Sequence, residues 1–512
     1  MLQIAGSRIA VDFDERILSL IPAAKEITFQ GNKLAALDHD FYSTLLLRHM
    51  GHDVPAPVIT QYDWCGGRPF DVQIKTVAML TTSRRCYVLN GLGTGKTRCT
   101  LWAFDFLKKC GLANKLLVVA PLSTLRFVWE REIFQAFEHL KVSVLFGPKA
   151  KRLQKLAEDA DIYIINHDGL NTLLPELKAR TDIDCLVIDE LAVYRNGHAA
   201  RTKLMRDFAK SKNWVWGLTG SPIPRSVTDV WGQAGIITPH TVPKYFNQVR
   251  QMLCYKASAF KWEAKDDAVE RAFSMLQPSV RYSLEDVTEL PPVVIQHVEI
   301  PMGPKQRALY QAMKTNAEAM VGADKIDALN AGAVLSKLLQ IACGWVYTRE
   351  GKTITLDNED RVQAIIDYVE ASGRKALVFL PFKSALAGVS AAFDKAGIEH
   401  AVVSGDTPAG RRSGIFADFQ TTPKYKALVA HPACLAHGLT LTAADVVIWG
   451  GPTTSLEIFL QANGRITRVG QRHKQLVVML GGTQVEHKLY TALGKKENTQ
   501  NLLLDLLAEQ SK

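Results

Sequence analysis

Two series of short, strongly apolar runs, separated by helix-periodic stretches, constrain this 512-residue chain more than any other feature. The first comprises Leu116 to Ala120, Ile162 to Ile165, Cys185 to Ile188 and Trp214 to Leu218. The second runs through Leu377 to Leu380, Ala401 to Val403, Leu428 to Ala430, Val446 to Trp449 and Leu476 to Leu480. Strands without alternation are buried on both sides, which is the condition of a parallel sheet sandwiched between helices. Two α/β lobes are therefore expected. The length agrees, since a single compact core stops growing well before this size.

One loop carries a specific chemistry. Asn90-Gly91-Leu92-Gly93-Thr94-Gly95-Lys96-Thr97 follows directly on the apolar run Cys86-Tyr87-Val88-Leu89. A glycine-rich turn between a strand and a helix bares several backbone N–H groups, which wrap nucleotide phosphates. In such a loop Gly91, Gly93, Thr94 and Gly95 would hold the phosphates. Lys96 would place a point charge at the β/γ-phosphates, and the Thr97 hydroxyl would reach magnesium. Asn90 stands where the usual pattern has its first glycine. A flexible turn that happens to contain Gly-Lys-Thr is the bland alternative; the strand before and helix after argue against it.

Composition sets the frame. With 47% hydrophobic and 22% charged residues the chain reads as an ordinary soluble protein. No apolar stretch approaches the roughly 20 residues a membrane helix requires. The Met1 to Ala5 start lacks a secretion signal, so a cytoplasmic location is expected, with no membrane partner. Eight cysteines without a CxxC pair suggest reduced, buried thiols. A net charge of +10 favours a polyanionic partner once other signals point the same way.

Asp189-Glu190 ends the run Cys185 to Ile188, and parallel sheets place their ligand sites at strand ends. There Asp189 could hold magnesium, and Glu190 could orient and deprotonate an attacking water. The alternative is an acidic pair capping the next helix. Further on, Gln461, Arg465 and Arg468 have the spacing of one helical face. Such a cluster could cross a cleft to a triphosphate and steady the charge that develops during phosphoryl transfer.

These residues carry a resemblance to the helicase-superfamily-two motors and, within them, to the Swi/Snf-like DNA translocases. Pro69-Phe70-Asp71-Val72-Gln73 resembles the adenine-reading Q motif, with Phe70 and Gln73 the implied base contacts. The phosphate loop is similar to the family's Asp-Glu-Met-Gly-Leu-Gly-Lys-Thr, which also lacks the first glycine. Val119 to Leu125 with Trp129 resembles the next motif, a DNA-backbone contact; Asp189-Glu190 falls at Walker B, followed by Arg195-Asn196. Leu218-Thr219-Gly220-Ser221-Pro222 is similar to the motif that couples hydrolysis to lobe movement. Leu290-Pro291-Pro292 with Pro304 to Arg307 and Leu309-Tyr310, Gly438 to Asp445, and Arg465 to Gln471 complete the series over about residues 68 to 490. Two departures stand out. The family's histidine linking hydrolysis to nucleic acid is replaced within Leu191-Ala192, and Ala433-Cys434 occupies a position where an arginine is common.

The resemblance implies two tandem RecA-like lobes with helical protrusions and a small N-terminal α+β module. The expected division is 1–62 accessory module, 63–237 first lobe, 238–290 helical protrusion, 291–490 second lobe with a helical segment at 303–347, and 491–512 helical tail. ATP and magnesium are the implied cofactors. Ser123, Thr124, Asn166, His167, Ser404 and Thr440 are candidate contacts to a nucleic-acid backbone, which would position a duplex without reading it. Lys149, Lys151, Arg152, Arg411 and Arg412 either add charge along that groove or are ordinary solvated surface. Trp129 reads as packing rather than as a stacking platform. The N-terminal module resembles, in position and size, small domains that precede the motor of annealing helicases; a plain β-rich packing domain is the preferred reading.

The expected function is a DNA-dependent ATPase, expected to act as a monomer, tracking duplex or branched DNA. Replication, recombination or repair in a bacterial cell or virus-infected host is the expected setting, with proteins of those processes as partners. Two alternatives stay open: a strand-separating RNA or DNA helicase of another branch, and a nucleotide-gated DNA clamp with little turnover.

Overall fold

The computed structural model describes residues 2–495 apart from 225, 259–260, 285, 288–290, 323–327, 349, 436–439 and 469–470. It forms two compact units, Met1–Thr288 and Glu289–Lys512.

The first unit is built on a seven-stranded sheet. Its order is Ser279–Val280, Arg85–Val88, Trp214–Leu218, Ile183–Asp189, Lys115–Ala120, Ile162–Asn166 and Val142–Val144. Every neighbouring pair is parallel. Successive side chains point to opposite faces, and both faces are apolar. Leu117, Val119, Leu186 and Ile188 enter one core, while Leu116, Val118, Cys185 and Val187 enter the other. Burial of each aliphatic side chain contributes about 1.5–3 kcal/mol, which makes these strands the rigid part of the unit. Because all strands run the same way, the residues following Val88, Ala120, Asn166, Asp189 and Leu218 gather along one edge of the sheet.

The N-terminal module is α+β. Leu2–Ala5, Arg8–Asp12, Asn32–Asp38 and Lys25–Phe29 form an antiparallel sheet in that order. Helices Glu15–Leu20 and Phe41–His49 accompany it, and Ile9, Val11, Ile17, Ala35, Leu37, Leu47 and Val54 make its small core. Phe41 leaves this module to pack edge-on against Trp214, 5.4 Å between ring centroids, which fastens it to the large sheet.

The segment 238–290, expected to be a helical protrusion, is mixed instead. It holds helices Phe246–Leu253 and Ala268–Met275, the hairpin Cys254–Lys256 with Trp262–Ala264, and strand Ser279–Val280. That last strand covers the edge of Arg85–Val88, which would otherwise expose its backbone donors and acceptors. Val249, Leu253, Ala268, Ala272 and Met275 enter the first unit's own core.

The second unit repeats the architecture. Its sheet runs Val293–Glu299, Gln475–Gly481, Ala444–Trp449, Lys375–Phe379, Ala427–Ala430 and His400–Val403, again all parallel. Helices Pro304–Gly322 and Ala328–Cys343 fall where a helical segment is read from the sequence. A buried ion pair ties helix Glu359–Ala371 to helix Gln484–Gly494. Arg361 meets Glu486 at 3.0 Å and donates to the Gly450 carbonyl at 2.8 Å. The other Glu486 oxygen accepts from the Gly482 N–H and the Thr483 hydroxyl, each at 3.0 Å. Leu290, Gly438, Leu439 and residues 496–512 of the expected tail lie outside the described residues. Among the described residues no helix is long and apolar enough to cross a membrane.

Candidate nucleotide site

Strand Arg85–Val88 delivers the glycine-rich loop, and helix Lys96–Lys109 begins at its last lysine. Gly93 and Gly95 take φ of 79° and 84°, a left-handed backbone that glycine adopts without a Cβ penalty. A Cβ on Gly95 would also lie 2.4 Å from Nε2 of Gln73. That amide donates to the Thr94 carbonyl at 3.1 Å, while its Oε1 accepts from the Phe70 N–H at 3.0 Å. The segment bearing Phe70 and Gln73 is thus joined to the loop itself. Phe70 keeps 37% of its surface exposed, whereas Gln73 and Thr94 are buried. The Thr94 hydroxyl donates to the Gly91 carbonyl at 2.9 Å. Lys96 Nζ donates to the carbonyls of Asn90 and Gly91, 2.8 Å each, and Thr97 follows it in the first helical turn.

Asn90 is a brace, which the sequence reading did not foresee. Its Nδ2 donates to the Thr76 hydroxyl at 3.1 Å, and its Oδ1 accepts from the Tyr282 N–H at 3.0 Å. The Gly91 N–H then donates to the Tyr282 carbonyl at 2.7 Å. The side chain at this position thus bridges the helix that bears Thr76 and the segment that bears Tyr282, which a glycine could not do.

Asp189 ends the strand Ile183–Asp189, next to the strand that ends at Leu218. One carboxylate oxygen accepts from the Trp129 indole N–H at 3.0 Å, the other from the Glu190 N–H at 3.1 Å. Burial pushes the Asp189 pKa up; the indole, the Lys96 charge and the Glu190 N–H pull the other way without cancelling it. Glu190 has φ of 53°, a left-handed conformation costing about 1–3 kcal/mol for a residue with a Cβ. Thr219 donates its N–H to the Val88 carbonyl at 3.1 Å, and its hydroxyl accepts from the Ser221 N–H at 3.2 Å. A Cβ on Gly220 would lie 3.5 Å from the Asn90 carbonyl, so this turn lies against the start of the phosphate loop.

Magnesium suits this donor set. Among the described residues no three His, Cys, Asp or Glu side chains cluster as a metal cage. One carboxylate, Asp189, and one hydroxyl, Thr97, would leave most of the coordination to phosphate oxygens and waters, the kind of shell Mg²⁺ prefers.

In the second unit the arginine cluster is not built as expected. Helix Leu456–Asn463 stops before Gly464, so Gln461 is helical while Arg465 and Arg468 lie in the turns that follow. The helical face shared by all three therefore does not form. Asn463 is drawn off by the Trp449 indole, which donates to its Oδ1 at 2.9 Å. Gln461 is buried and donates to Glu457 at 3.2 Å. Arg465 is only 1% exposed. Arg468 donates to the Gly464 carbonyl at 2.9 Å and to the Thr440 hydroxyl at 3.2 Å. Burial lowers its pKa to about 10, which still leaves a cation at neutral pH.

The candidate backbone contacts separate by exposure. Ser123 and Thr440 are exposed; Asn166 and Ser404 are half-buried. Thr124 and His167, also read as possible phosphate contacts, are buried. The Thr124 hydroxyl is committed to the Pro121 carbonyl at 2.9 Å, and His167 Nδ1 lies 3.0 Å from the Tyr194 hydroxyl. Asn166 Oδ1 accepts from Arg152 at 3.1 Å, and Lys149 pairs with Glu176 at 3.2 Å. Arg412 donates to the Thr407 carbonyl at 2.7 Å.

A phosphate loop, a strand-end Asp-Glu and a second parallel α/β sheet in one chain define a helicase-type ATP hydrolase with two RecA-like lobes. The SNF2-related domain model matches residues 70–343, more than half of the chain, and the helicase conserved C-terminal domain model matches 360–470. The chain belongs to the SNF2-related family. A putative protein of Acyrthosiphon pisum secondary endosymbiont phage 1 is 28% identical over 84% of this chain and 95% of its own length. An uncharacterised ATP-dependent helicase of Mycoplasma genitalium is 21% identical over 79% of this chain, which spans 39% of that protein. A solved Sulfolobus solfataricus SWI2/SNF2 ATPase core in complex with dsDNA aligns at 22% identity with a TM-score of 0.41, covering 87% of this chain and 94% of that one.

Proposed function

We propose that the chain is a DNA-dependent ATPase that tracks along duplex or branched DNA and remodels it. The observation that carries this reading is the joining of Gln73, the phosphate loop and the Asp189-Glu190 strand end along one sheet edge, within a chain whose residues 360–470 match the helicase C-terminal domain. Phe70 and Gln73 hold the base, and Gly91, Gly93, Thr94, Gly95 and Lys96 hold the phosphates. Thr97 and Asp189 would hold magnesium, which would supply positive charge to the phosphates. Glu190 orients the attacking water and takes its proton. Gln461, Arg465 and Arg468 are assigned to stabilising charge on the transferring phosphoryl group.

Exposed Ser123 and Thr440, with half-buried Asn166 and Ser404, are the candidate contacts to the DNA backbone. Such contacts release counterions, so binding should weaken steeply with salt. The phage relative supports a place in the cytoplasm of a bacterial cell or its infected counterpart. The test is a panel of ATPase assays with forked, duplex and single-stranded DNA and with RNA. Preferential stimulation by duplex or forked DNA is expected; stimulation by RNA or single strands alone would select a strand-separating helicase. Glu190→Gln should abolish turnover and leave ATP binding intact.

A second reading has one observation in its favour. Leu191 and Ala192 are buried and apolar where the family carries a histidine. A nucleotide-gated clamp would bind DNA in response to ATP while hydrolysis stays at background.

A further inference from the structure

Trp129 does something that packing alone does not require. It lies in the π-helical segment Leu125–Glu130, which follows the Leu122–Ser123 turn at the end of strand Lys115–Ala120. The ring is fully buried in the core shared with Phe104, Ile133 and Val187. A phenylalanine would supply most of that apolar contact. The indole adds a donor, and it is spent on Asp189 Oδ2 at 3.0 Å. The remaining Asp189 oxygen takes the N–H of the residue next to it in sequence, Glu190. Of these two hydrogen bonds, the indole's is the one that reaches the carboxylate from a distant part of the chain.

The donor is neutral, which matters for what Asp189 is asked to do. A lysine or arginine in that place would compete with a cation for the carboxylate. An indole N–H fixes the group's rotation and leaves its charge available, as the outer partners of metal-binding side chains commonly do. The strand leading to the Trp129 segment pairs directly with the strand that ends at Asp189. The two are therefore rigidly related, and the exposed Leu122–Ser123 turn is the free end of that arrangement. At Ala192, just beyond Asp189, a methyl group offers no hydrogen bond through which a bound polyanion could act.

We propose that Trp129 is a positioning residue whose indole N–H sets the orientation of the Asp189 carboxylate and links it to the Ser123–Thr124 turn, so that a nucleic-acid backbone held at that turn changes the rate of ATP turnover. The link rests on the DNA-dependent ATPase reading above; the hydrogen bond and its effect on Asp189 do not.

The test uses the full chain carrying Trp129→Phe or Trp129→His, with three readouts. ATP-analogue affinity and melting temperature report on the fold and the phosphate loop. The indole ¹H–¹⁵N resonance that disappears in Trp129→Phe identifies the Trp129 ring; in the wild-type residue it should exchange slowly with solvent and move when Asp189→Asn is introduced. Turnover is measured with and without duplex DNA. Trp129→Phe is expected to keep analogue affinity and lower kcat by about ten- to hundredfold. The ratio of DNA-stimulated to basal turnover should fall with it, and Trp129→His, which retains a ring N–H, should restore part of both. An indole resonance that ignores Asp189→Asn overturns the hydrogen bond, and where Trp129→Phe does not fold, the resonance missing from Trp129→His supplies the same assignment. A stimulated wild type whose ratio is unchanged in Trp129→Phe overturns the link while sparing the DNA reading. A wild type that no nucleic acid stimulates overturns both.

Discussion

The two units share an architecture and differ in where they hold the chain under strain. In the first, left-handed backbone occurs at eleven described residues, and three of them, Gly93, Gly95 and Glu190, lie at the sheet edge that carries the chemistry. In the second, among the described residues, it occurs at Gly344, Gly351 and Gly397. Gly397 closes helix Lys383–Ala396, and Gly344 follows helix Ala328–Cys343, positions where glycine commonly ends a helix. Glu190 has no such excuse, since a residue with a Cβ is held left-handed at the end of a central strand. The same fold thus carries in one unit a half-buried phosphate loop and one strained strand-end residue. In the other, among the described residues, the left-handed positions are all glycines, and the ion pair of Arg361 and Glu486 is buried.

The comparison breaks most sharply at the cations. Lys96→Ala should remove nucleotide affinity and turnover together, because the ammonium belongs to the phosphate loop. Arg468→Ala should leave nucleotide affinity intact and lower kcat by about three orders of magnitude, the range of an arginine that stabilises phosphoryl transfer. Equilibrium binding of a fluorescent ATP analogue alongside steady-state kinetics separates them; loss of affinity in Arg468→Ala would dissolve the division of labour.

Next comes the buried pair. Glu486→Ala strands the Arg361 guanidinium and should cost about 3–5 kcal/mol, whereas exchanging both residues for apolar ones of similar volume should cost far less. Calorimetry should show the second unit melting earlier while nucleotide-dependent stabilisation of the first persists.

Gly95→Ala sharpens the claim about strain. A left-handed alanine whose Cβ meets Gln73 should cost about 1–2 kcal/mol in the first unit. The mutant should lose analogue binding out of proportion to that loss.

The smallest effect concerns Asp105, a buried residue of helix Lys96–Lys109. Burial would raise its pKa, but donors from His139 at 2.8 Å, Lys109 at 2.8 Å and Tyr62 at 2.6 Å together hold it below the ordinary carboxyl value. A depressed carboxyl stabilises the fold fully above its unfolded pKa of about 3.9, and that stabilisation fades as pH falls through the lower folded value. Asp105→Asn should therefore flatten the acid limb of the first unit's melting temperature below about pH 4. An unchanged limb would remove Asp105 from the account.

Much of this was legible in the sequence, and the gaps have a pattern. The long runs of both sheets could be read because a strand buried on two faces must be continuously apolar. Val142–Val144 and Ser279–Val280 escaped notice because each is too short to show a pattern and is held mainly by backbone pairing to a neighbour. Arg465 and Arg468 suggested a helical face by spacing, yet Gly464 and the Trp449–Asn463 hydrogen bond end the helix first. Thr124 and His167 have the right chemistry for phosphate, and only packing showed that both are buried.

Motif order and apolar pattern were enough to give the class of fold, the phosphate loop and the strand-end carboxylates, since each depends on residues close together in the chain. Asn90 gripping Tyr282, Trp129 reaching Asp189 and Arg361 meeting Glu486 could not be foreseen that way. Each joins residues far apart in sequence, and a hydrogen bond of about 3 Å exists only once packing has brought its two ends within reach.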